Sequence, residues 1–299
     1  MEDIEIRELR YFAAVAEELH FGRAAERLRI SQPPLSRAIQ RLEQRLGVEL
    51  LRRDRRGVRM TEAGEVLLEE ARNVFDAATA AVQRSRRTVN ADDRLVLVTK
   101  AGASHELLRD LLDSYAARPG ALPVEVLLCE VGEQRQVLRQ GRADSALVHS
   151  PYDVFGEFKT QELVTERQVA IVPKGDPLAL RPCLTMAEVA DVPGLPIARW
   201  PRHDGSYPPG PGPEVHTQSE IAQLVSLGRA LLVIPESSRA WQWPDHAAVP
   251  VLDAPLVTTL LAWPASTRPS RLDGLVRAAA EIASRTSEVE GARAQLPTA

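Results

Sequence analysis

The stretch ISQPPLSRAIQRLEQRLGVELLRRDRRGVRMTEAG, residues 30–64, decides the fold of the N-terminal part of the chain. Ser31 is expected to cap a helix, because its hydroxyl can accept a hydrogen bond from a free backbone N–H. Pro33 and Pro34 suit the first helical turn, where a missing N–H costs little, and Gly47 suits the end. The buried face of this helix would consist of Leu35, Ala38, Ile39, Leu42 and Leu46.

The opposite face of the helix is polar and carries Ser36, Arg37, Gln40, Arg41, Gln44 and Arg45. Two apolar helices precede it, in IEIRELRYFAAVAEELH and FGRAAERLRI. The short turn between the second and third helices predicts a helix-turn-helix over about Phe21 to Gln40. The segment VELLRRDRRGVRMT that follows predicts a two-stranded wing with its turn near Asp54 to Gly57.

A polar helix in this position is typical of proteins that read the major groove of DNA. Gln32 and Gln40 can pair with adenine, Arg37 can bind guanine O6 and N7, and Ser36 can hold phosphate. A face that is merely solvated is the alternative for the helix alone, but the added double proline and basic hairpin favour DNA. The expected DNA-binding residues are Ser31, Gln32, Pro33, Ser36, Arg37, Gln40, Arg41, Arg52, Arg53, Arg55 and Arg56.

Residues 21–64 resemble the DNA-binding head of LysR-type transcriptional regulators. The shared pattern starts at Phe21, runs as AAxxLxxSQPxLSxxIxxLExxLGxxLxxR and ends in TxAG, without a gap. The resemblance implies that Arg53 touches phosphates at the wing. It also implies that DNA is met by Gln32, Pro33, Ser36 and Arg37.

Charge is distributed unevenly along the 299 residues, a length that suits two or three domains. The net charge is −4, yet residues 1–59 hold 13 arginines and no lysine against 10 acidic residues, which makes this part +3 and the rest −7. A basic head on an acidic body suggests an anionic partner at the head. No long apolar run and no signal-peptide pattern are seen, so a cytoplasmic location without membrane contact is expected.

The segment EVLLEEARNVFDAATAAVQRSRR lacks glycine and proline and predicts a long helix over about residues 63–91. Its apolar residues form a coiled-coil-like seam, which favours dimerisation, and packing on its own domain is the alternative. The family resemblance implies that such linker helices pair antiparallel in dimers. The seam consists of Leu67, Ala71, Val74, Ala78 and Ala81, with Leu68, Phe75 and Val82 beside it.

Beyond residue 94, strand-like and helix-like segments alternate, which predicts parallel sheets covered on both faces. The alternation restarts at ERQVAIVPKG and so indicates two lobes with a cleft between them. QGRADSALV and SEIAQLVSLGRALLVIPES resemble segments of the LysR-type effector domain. The expected fold class is therefore α/β with an all-α winged helix-turn-helix N-terminal domain and a C-terminal two-lobed periplasmic-binding-protein-like (type 2) effector domain.

The expected domain boundaries follow from these segments. They place the head at residues 1–62, the linker helix at 63–91 and the effector domain at 92–299. Within the effector domain, lobe 1 would cover about 94–163 and 264–285, and lobe 2 about 164–263. The strands that cross between the lobes, near Leu163 and Trp263, would form the hinge.

Ligands of this architecture bind beyond the carboxyl ends of strands, near helix N-termini. Lys100 would hold a carboxylate, Arg199 would pair with an acid and Trp200 would stack on a ring. The alternatives are a solvated Lys100 and Arg199, a core Trp200 and a satisfied loop histidine at His149. The expected effector-binding residues are Thr99, Lys100, Ala103, Ser104, Glu130, Val131, His149, Arg199, Trp200 and Pro201.

Other classes of protein are less well supported. An enzyme would be expected to show a motif such as GxSxG, HExxH, a P-loop or GxGxxG after a strand, and none occurs. A secreted solute-binding protein would match the body but not the head. A redox regulator would use Cys129 and Cys183, the only cysteines, whose separation favours neither a zinc site nor a disulfide framework.

The sequence thus predicts a transcriptional regulator with no cofactor, no metal and no catalytic residue. Its expected partners are double-stranded promoter DNA, a small-molecule effector, further copies of itself in a homodimer or homotetramer, and RNA polymerase. Glu130 and Val131 stand where many relatives have Ser and Thr, which disfavours a simple anionic aromatic acid as the effector.

Overall fold

The computed structural model describes residues 4–54, 57–89, 94–202, 205–241, 243–267 and 269–294. The chain divides into two compact units, Met1–Ser85 and Arg86–Ala299. Within the described residues, no helix combines the length and the apolar character needed to cross a bilayer.

The first unit has the expected winged helix-turn-helix order. Its helices are α1 Ile6–Glu18, α2 Phe21–Leu28 and α3 Gln32–Leu46, followed by the antiparallel hairpin of β1 Leu51–Asp54 and β2 Gly57–Met60 and by α4 Glu62–Val89. The core forms because each helix turns its apolar stripe inward. Fully buried members of this core include Phe12, Leu35, Ile39, Leu42 and Leu50.

The start of α3 differs in one respect from the expectation. Ser31 occupies the N-cap position with an extended backbone, but its hydroxyl makes no capping hydrogen bond, so the predicted bond is wrong. A side-chain cap is found instead on α2, where His20 Nδ1 accepts from the backbone N–H groups of Gly22 and Arg23. The Ser31 hydroxyl stays at an exposed position beside the first turn of α3.

The surroundings of the linker helix α4 change along its length. Its first turns pack on the head, because Leu68 and Ala71 are buried and Phe75 is partly buried against the same core. Farther along, Val74 and Val82 are exposed. Packing on its own domain therefore accounts for the start of the predicted seam, whereas Val74, Ala81 and Val82 farther along are exposed in the single chain.

The first sheet of the second unit is mixed, with the order β4-β3-β5-β10-β6. Its strand β3 is parallel to β4 and β5, as expected, whereas β10 is antiparallel to β5 and β6. The buried helix faces of α5 and α9 contribute Leu111, Tyr115, Leu272 and Leu275 to the core on this sheet. Its strands are β3 Leu95–Lys100, β4 Val124–Cys129, β5 Ser145–Ser150, β6 Phe158–Glu166 and β10 Val257–Pro264, and its helices are α5 His105–Ala116, α6 Gln134–Arg139 and α9 Pro269–Ala294.

The second sheet corrects the expectation of parallel strands. Its order is β8-β7-β9, and both of its pairings are antiparallel. Among the described residues of this lobe, parallel pairing is limited to isolated bridges such as Ile197 with Leu231. The alternation of apolar segments shows where strands lie but not which way they run, and this explains the error. The elements are β7 Gln168–Pro173, β8 Leu232–Pro235, β9 His246–Val251, α7 Met186–Ala190, α8 Gln218–Ser226 and the 3₁₀ turns Pro177–Leu180 and Glu236–Trp241.

The crossings between the lobes lie several residues from the expected hinge. Strands β6 and β10 stay paired in the first sheet up to the Glu166–Val257 pair, so the chain changes lobe at Arg167 and just before Val257. Leu163 is buried in the core of lobe 1, and Trp263 pairs with Lys159 near the far end of the strands. The predicted crossing points are therefore wrong, because apolar strand residues continue on both sides of the true hinge.

Candidate functional sites

The polar face of α3 is open to solvent in the first unit. Arg37, Gln40 and Arg41 are exposed, as are Gln32 and Pro33 in the first turn, and all come from the first ten residues of the helix. Helical spacing puts residues 33, 37, 40 and 41 on a single face. The hydrogen-bonding groups expected to read base edges are thus presented together, next to a helix N-terminus that favours anions.

Arg53 connects the wing to this helix. Its Nη1 donates to Ser36 Oγ at 3.2 Å, and its guanidinium carbon lies 3.8 Å from the centroid of the Phe21 ring. Stacking on an aromatic face and a hydrogen bond together restrict a side chain that is otherwise flexible. Arg53 and Ser36 are therefore held side by side, where one phosphate could meet both.

Glu43, in the C-terminal half of α3, fixes the start of the hairpin to that helix. Its Oε1 accepts from the backbone N–H groups of Leu50 at 2.9 Å and Leu51 at 3.1 Å. Farther along the helix, Arg45 Nη2 lies 2.6 Å from Glu8 Oε1 of α1. Burial alone would raise the pKa of Glu8, but the hydrogen bond and charge of Arg45 outweigh it, so the pKa lies below its ordinary value. Arg45 thus ties α3 to α1 and is not part of the exposed reading face.

Of the other wing arginines expected to bind DNA, the structure describes Arg52. Arg52 is exposed and its Nε lies 3.3 Å from Glu49 Oε2, a contact between solvated groups that stabilises little and can be exchanged for phosphate. Arg55 and Arg56, also expected to bind DNA, lie outside the described residues.

In the second unit, a cavity of about 520 Å³ is lined by residues of both lobes. Its walls are largely apolar, with Phe155 and Phe158 from lobe 1 and Trp200 and Ile234 from lobe 2. The lobes meet at its rim, where a Cβ on Gly102 would collide with the carboxamide of Gln218. Concave, mainly apolar sites of this size are typical of small-molecule binding.

An ion pair lies on the lobe 1 side of the cavity. Lys100 Nζ is 3.2 Å from Asp153 Oδ2, and the two side chains are only 12% and 13% exposed. The same oxygen accepts the backbone N–H of His149 at 2.7 Å. Burial would raise the pKa of Asp153, but the charge of Lys100 and the backbone hydrogen bond from His149 hold it well below its usual range.

His149 lies in strand β5 and not in a loop. Its Nε2 is 2.9 Å from Ser104 Oγ, and both residues are enclosed. Burial, and secondarily the charge of Lys100, lowers the pKa of His149, so the ring is neutral near pH 7. Nδ1 has no hydrogen-bond partner within the described residues and is 3.8 Å from Asp153 Oδ2.

The structure, which describes all the residues expected in the cleft, brings most of them to the cavity. Lining residues among them are Lys100, Ala103, Val131, His149, Arg199, Trp200 and Pro201. The expectation fails for residues that point elsewhere. Thr99 and Ser104 are enclosed in the protein, and Glu130 is exposed to solvent.

Arg199 does not offer the free guanidinium that was expected for an acidic ligand. Its Nε donates to Gly212 O at 2.7 Å, its Nη1 to Pro208 O at 3.0 Å and its Nη2 to Glu214 Oε1 at 3.2 Å. The side chain therefore anchors a loop rich in proline and glycine, SYPPGPGPE at residues 206–214. Lys100 fails the same expectation because Asp153 neutralises it.

Several lining residues were missed from the sequence, among them Gln134, Tyr152, Asp153 and Phe155. Most follow β5 in the segment SPYDVF, just beyond His149. The rule that sites lie past the carboxyl ends of strands pointed to this segment, and extending it by a turn would have included them. Gln134 carried no such signal, since it begins a helix whose buried face was not identified.

Potential metal ligands and thiols are spread apart in the described residues. No group of three potential metal ligands occurs in the part of the chain that the structure describes. Cys129 and Cys183 are free thiols in different lobes. Burial, and then the charge of Glu133, raises the pKa of Cys129 to about 12.

Comparison with known proteins matches both units. Residues 6–65 match the bacterial regulatory helix-turn-helix protein model of the lysR family, and residues 90–284 match the LysR substrate binding domain. The regulator IlvR of Caulobacter vibrioides is 34% identical, over 93% of this chain and 98% of its own. The uncharacterised regulator YnfL of Escherichia coli is 32% identical, over 88% and 93%.

Solved structures agree in fold. CbnR, a LysR family regulator, is 24% identical with a TM-score of 0.58, and covers 94% of this chain and 99% of that one. Full-length CbnR in complex with its target DNA is 25% identical with a TM-score of 0.51, over 94% and 100%. Both units and their order are thus shared, and this chain belongs to the LysR family of bacterial transcriptional regulators.

Proposed function

We propose that this regulator binds promoter DNA through the exposed half of α3 and the arginine wing, and that a small molecule in the cavity of the second unit controls the outcome. The observation that carries the DNA-binding surface is the contact of Arg53 with Ser36 and Phe21. This contact gives a basic wing residue and the reading helix a fixed relation before any DNA arrives, which favours affinity.

Each residue of the surface has a proposed role. Arg37 binds guanine through O6 and N7, and Gln32 and Gln40 pair with adenine edges. Phosphates are held by Arg53 together with Ser36. Further backbone contacts are assigned to Ser31, Pro33, Arg41, Arg52, Arg55 and Arg56.

Dimerisation is proposed to use the part of α4 that leaves the head. Val74 is 38% exposed and Val82 is 50% exposed, although both are apolar and lie on a long helix. Covering them with a second copy of the helix would remove apolar surface from water. A two-fold dimer would present two reading helices to two half-sites, and two dimers would form the homotetramer.

The cavity is proposed to bind the effector. Its ligand would contact both lobes at once and so favour one arrangement of the lobes over another. A changed arrangement would alter the spacing of the heads and the bend of the DNA, to which RNA polymerase would respond. We place this activity in the cytoplasm, where the chromosome lies.

An enzymatic role is not proposed. Ser104, His149 and Asp153 superficially resemble a catalytic triad, but Ser104 is fully enclosed and does not line the cavity. The 3.8 Å between Asp153 Oδ2 and His149 Nδ1 is too long for the hydrogen bond that orients a catalytic histidine. The group is better explained as a support for the cavity wall.

The redox alternative has a specific observation against it. A thiol reacts as the thiolate, and a pKa of about 12 leaves almost no thiolate on Cys129 near pH 7. Switching through Cys129 and Cys183 is therefore disfavoured relative to a ligand in the cavity.

Genome-wide footprinting of the protein on its own chromosome tests the proposal. We expect discrete occupied promoters, and we expect the purified protein to prefer those fragments over scrambled duplex in moderate salt. Metabolite extract should change the footprint of the wild type. Equal affinity for occupied and scrambled fragments, with and without extract, would contradict the proposed function.

A further inference from the structure

We propose, on the basis of the effector role proposed above, that the cavity selects an uncharged, mainly apolar ligand carrying one hydrogen-bond donor and acceptor, such as a carboxamide, and discriminates against carboxylates. The observation behind this is the ion pair of Lys100 with Asp153 on the cavity wall.

The positive charge of Lys100 is already neutralised by Asp153. Its partner Asp153 is close enough for a charge-assisted hydrogen bond, and the pair is almost shielded from water. A carboxylate that approached Lys100 would also approach Asp153, and like charges in a shielded site repel strongly. It would lose its own hydration without gaining an unpaired cation, so its binding is disfavoured.

The other basic side chains of the lining do not replace Lys100. Arg135 Nε lies 2.7 Å from Glu157 Oε1, and Arg199 is anchored to its loop. Arg202 is exposed, so water and salt screen its charge. Within the described lining, the charges that lie out of water are therefore balanced.

Gln134 supplies the polar feature of the site. This residue lines the cavity and is only 2% exposed, and neither its Oε1 nor its Nε2 has a hydrogen-bond partner within the described residues. An enclosed amide without partners is costly, because its donor and acceptor have lost their hydrogen bonds to water. A ligand that donates to Oε1 and accepts from Nε2 after a small rotation of the side chain would remove this cost.

The rest of the wall suits an apolar body. Phe155, Phe158 and Trp200 can contact a ring or an alkyl chain, and the volume of about 520 Å³ admits a small aromatic molecule. The ligand class follows from the combination of a neutralised ion pair, an amide without partners and an apolar wall.

Matched pairs of amide and carboxylate test the selectivity. We would titrate the full-length protein with benzamide and benzoate, phenylacetamide and phenylacetate, and cinnamamide and cinnamate, and follow tryptophan emission, because Trp200 lines the cavity. We expect at least one amide to bind, with a Kd at least tenfold lower than that of its matching acid.

Substitution of Asp153 should move this preference toward the carboxylate. In Asp153→Asn the charge of Lys100 is no longer balanced, so the ratio of the two Kd values should shift at least tenfold toward the carboxylate. Glu125→Gln removes the same charge from an exposed position on β4 and should leave the ratio unchanged. If Asp153→Asn does not fold, Lys100→Gln should keep amide binding and weaken carboxylates further.

A substitution of Gln134 tests the polar feature of the site. Gln134→Leu has a similar volume and should reduce the advantage of the amide over the matching methyl ketone, whereas the wild type should prefer the amide. Carboxylate binding equal to or tighter than amide binding in the wild type, or no amide binding at all, would overturn the ligand class. Footprints measured on the same preparation keep this failure separate from failure of the proposed function, which would appear as lost promoter preference.

Discussion

The guanidinium carbon of Arg53 lies 3.8 Å from the centroid of the Phe21 ring, so a wing residue packs on the first residue of α2. Arg53 also reaches Ser36 on α3. Three separate elements of the head are thus joined at one exposed arginine. A side chain held in this way loses less freedom when it binds phosphate, which makes it a better contact than a free surface arginine.

Replacing Arg53 by alanine should weaken binding to every DNA sequence to a similar extent. A phosphate contact carries no base information, and its loss should lower the slope of log K against log salt by about one. The measurement is fluorescence anisotropy on the operator and on scrambled duplex at several salt concentrations. An unchanged slope would show that Arg53 does not neutralise a phosphate.

Replacing Arg37 by alanine should have a different signature. The loss should be about 1–3 kcal/mol on the operator and much smaller on random DNA, because a bidentate contact to guanine is lost. Competition binding against operators changed at single base pairs would locate the base. The matched control is Arg7→Ala, which removes an exposed arginine from α1 next to the Glu8 that contacts the far end of α3. Equal weakening of Arg37→Ala on specific and random DNA would contradict the assignment.

The head could be predicted in detail because its determinants are local. Helical spacing of apolar residues, two prolines and Gly47 locate α3 almost to the residue, and the wing strands lie where the arginine-rich hairpin was expected. The capping bond of Ser31 could not be foreseen, since it depends on the rotamer of one hydroxyl. Periodicity gives the position of an element more reliably than its individual hydrogen bonds.

The cavity was harder to predict because its character depends on pairs that are distant in sequence. Topology pointed to Lys100, His149 and Trp200, which line the cavity, yet nothing in the local sequence shows that Asp153 balances Lys100 from another segment. Arg199 is a similar case, since its partners lie in a loop more than eight residues away. Positions past strand ends are thus predictable, whereas the net charge of the site is a tertiary property.

The last residue of the family pattern, Gly64, is required by close packing in the first unit. Gly64 lies so close to the carbonyl oxygen of Leu50 that a Cβ would collide with it, and its N–H donates to Thr61 Oγ1 at 3.1 Å. Gly64→Ala should therefore lower the stability of the first unit by about 1–3 kcal/mol, the range for a forced overlap in a packed region. Hydrogen exchange of α3 amides would measure it, with Glu65→Ala on the same turn as the control. Unchanged protection would count against a close approach at this point.

Hydrogen bonds of Gln168 join the segments that cross between the lobes. Tyr152 donates to Gln168 Oε1 at 2.8 Å, and Gln168 Nε2 donates to Pro255 O at 2.8 Å, which joins both crossing segments to lobe 1. Tyr152→Phe leaves the enclosed Gln168 oxygen without a donor and should cost about 1 kcal/mol or slightly more. Urea unfolding followed by tryptophan emission reports this, since all four tryptophans lie beyond residue 199. A loss below 0.3 kcal/mol (roughly the error of such measurements) would indicate that water replaces the hydroxyl.

Asp153 should make the second unit sensitive to acid. Its folded pKa is depressed below the ordinary value of about 3.9, so its stabilising effect is fully present above that pH and is lost as pH falls toward the lower folded pKa. At pH 7, Asp153→Asn should be less stable than the wild type by about 3 kcal/mol, the low end for a broken buried pair, because both side chains keep some exposure. Below about pH 4 the difference should shrink, because the unfolded wild-type chain binds a proton at this carboxylate while the folded chain still excludes it. Urea titrations of tryptophan emission between pH 3 and 7 measure this, and Glu125→Gln, with an exposed carboxylate, should show little difference at any pH. A difference that stays constant down to pH 3 would mean that the Lys100 and Asp153 pair does not stabilise the folded unit through its charges.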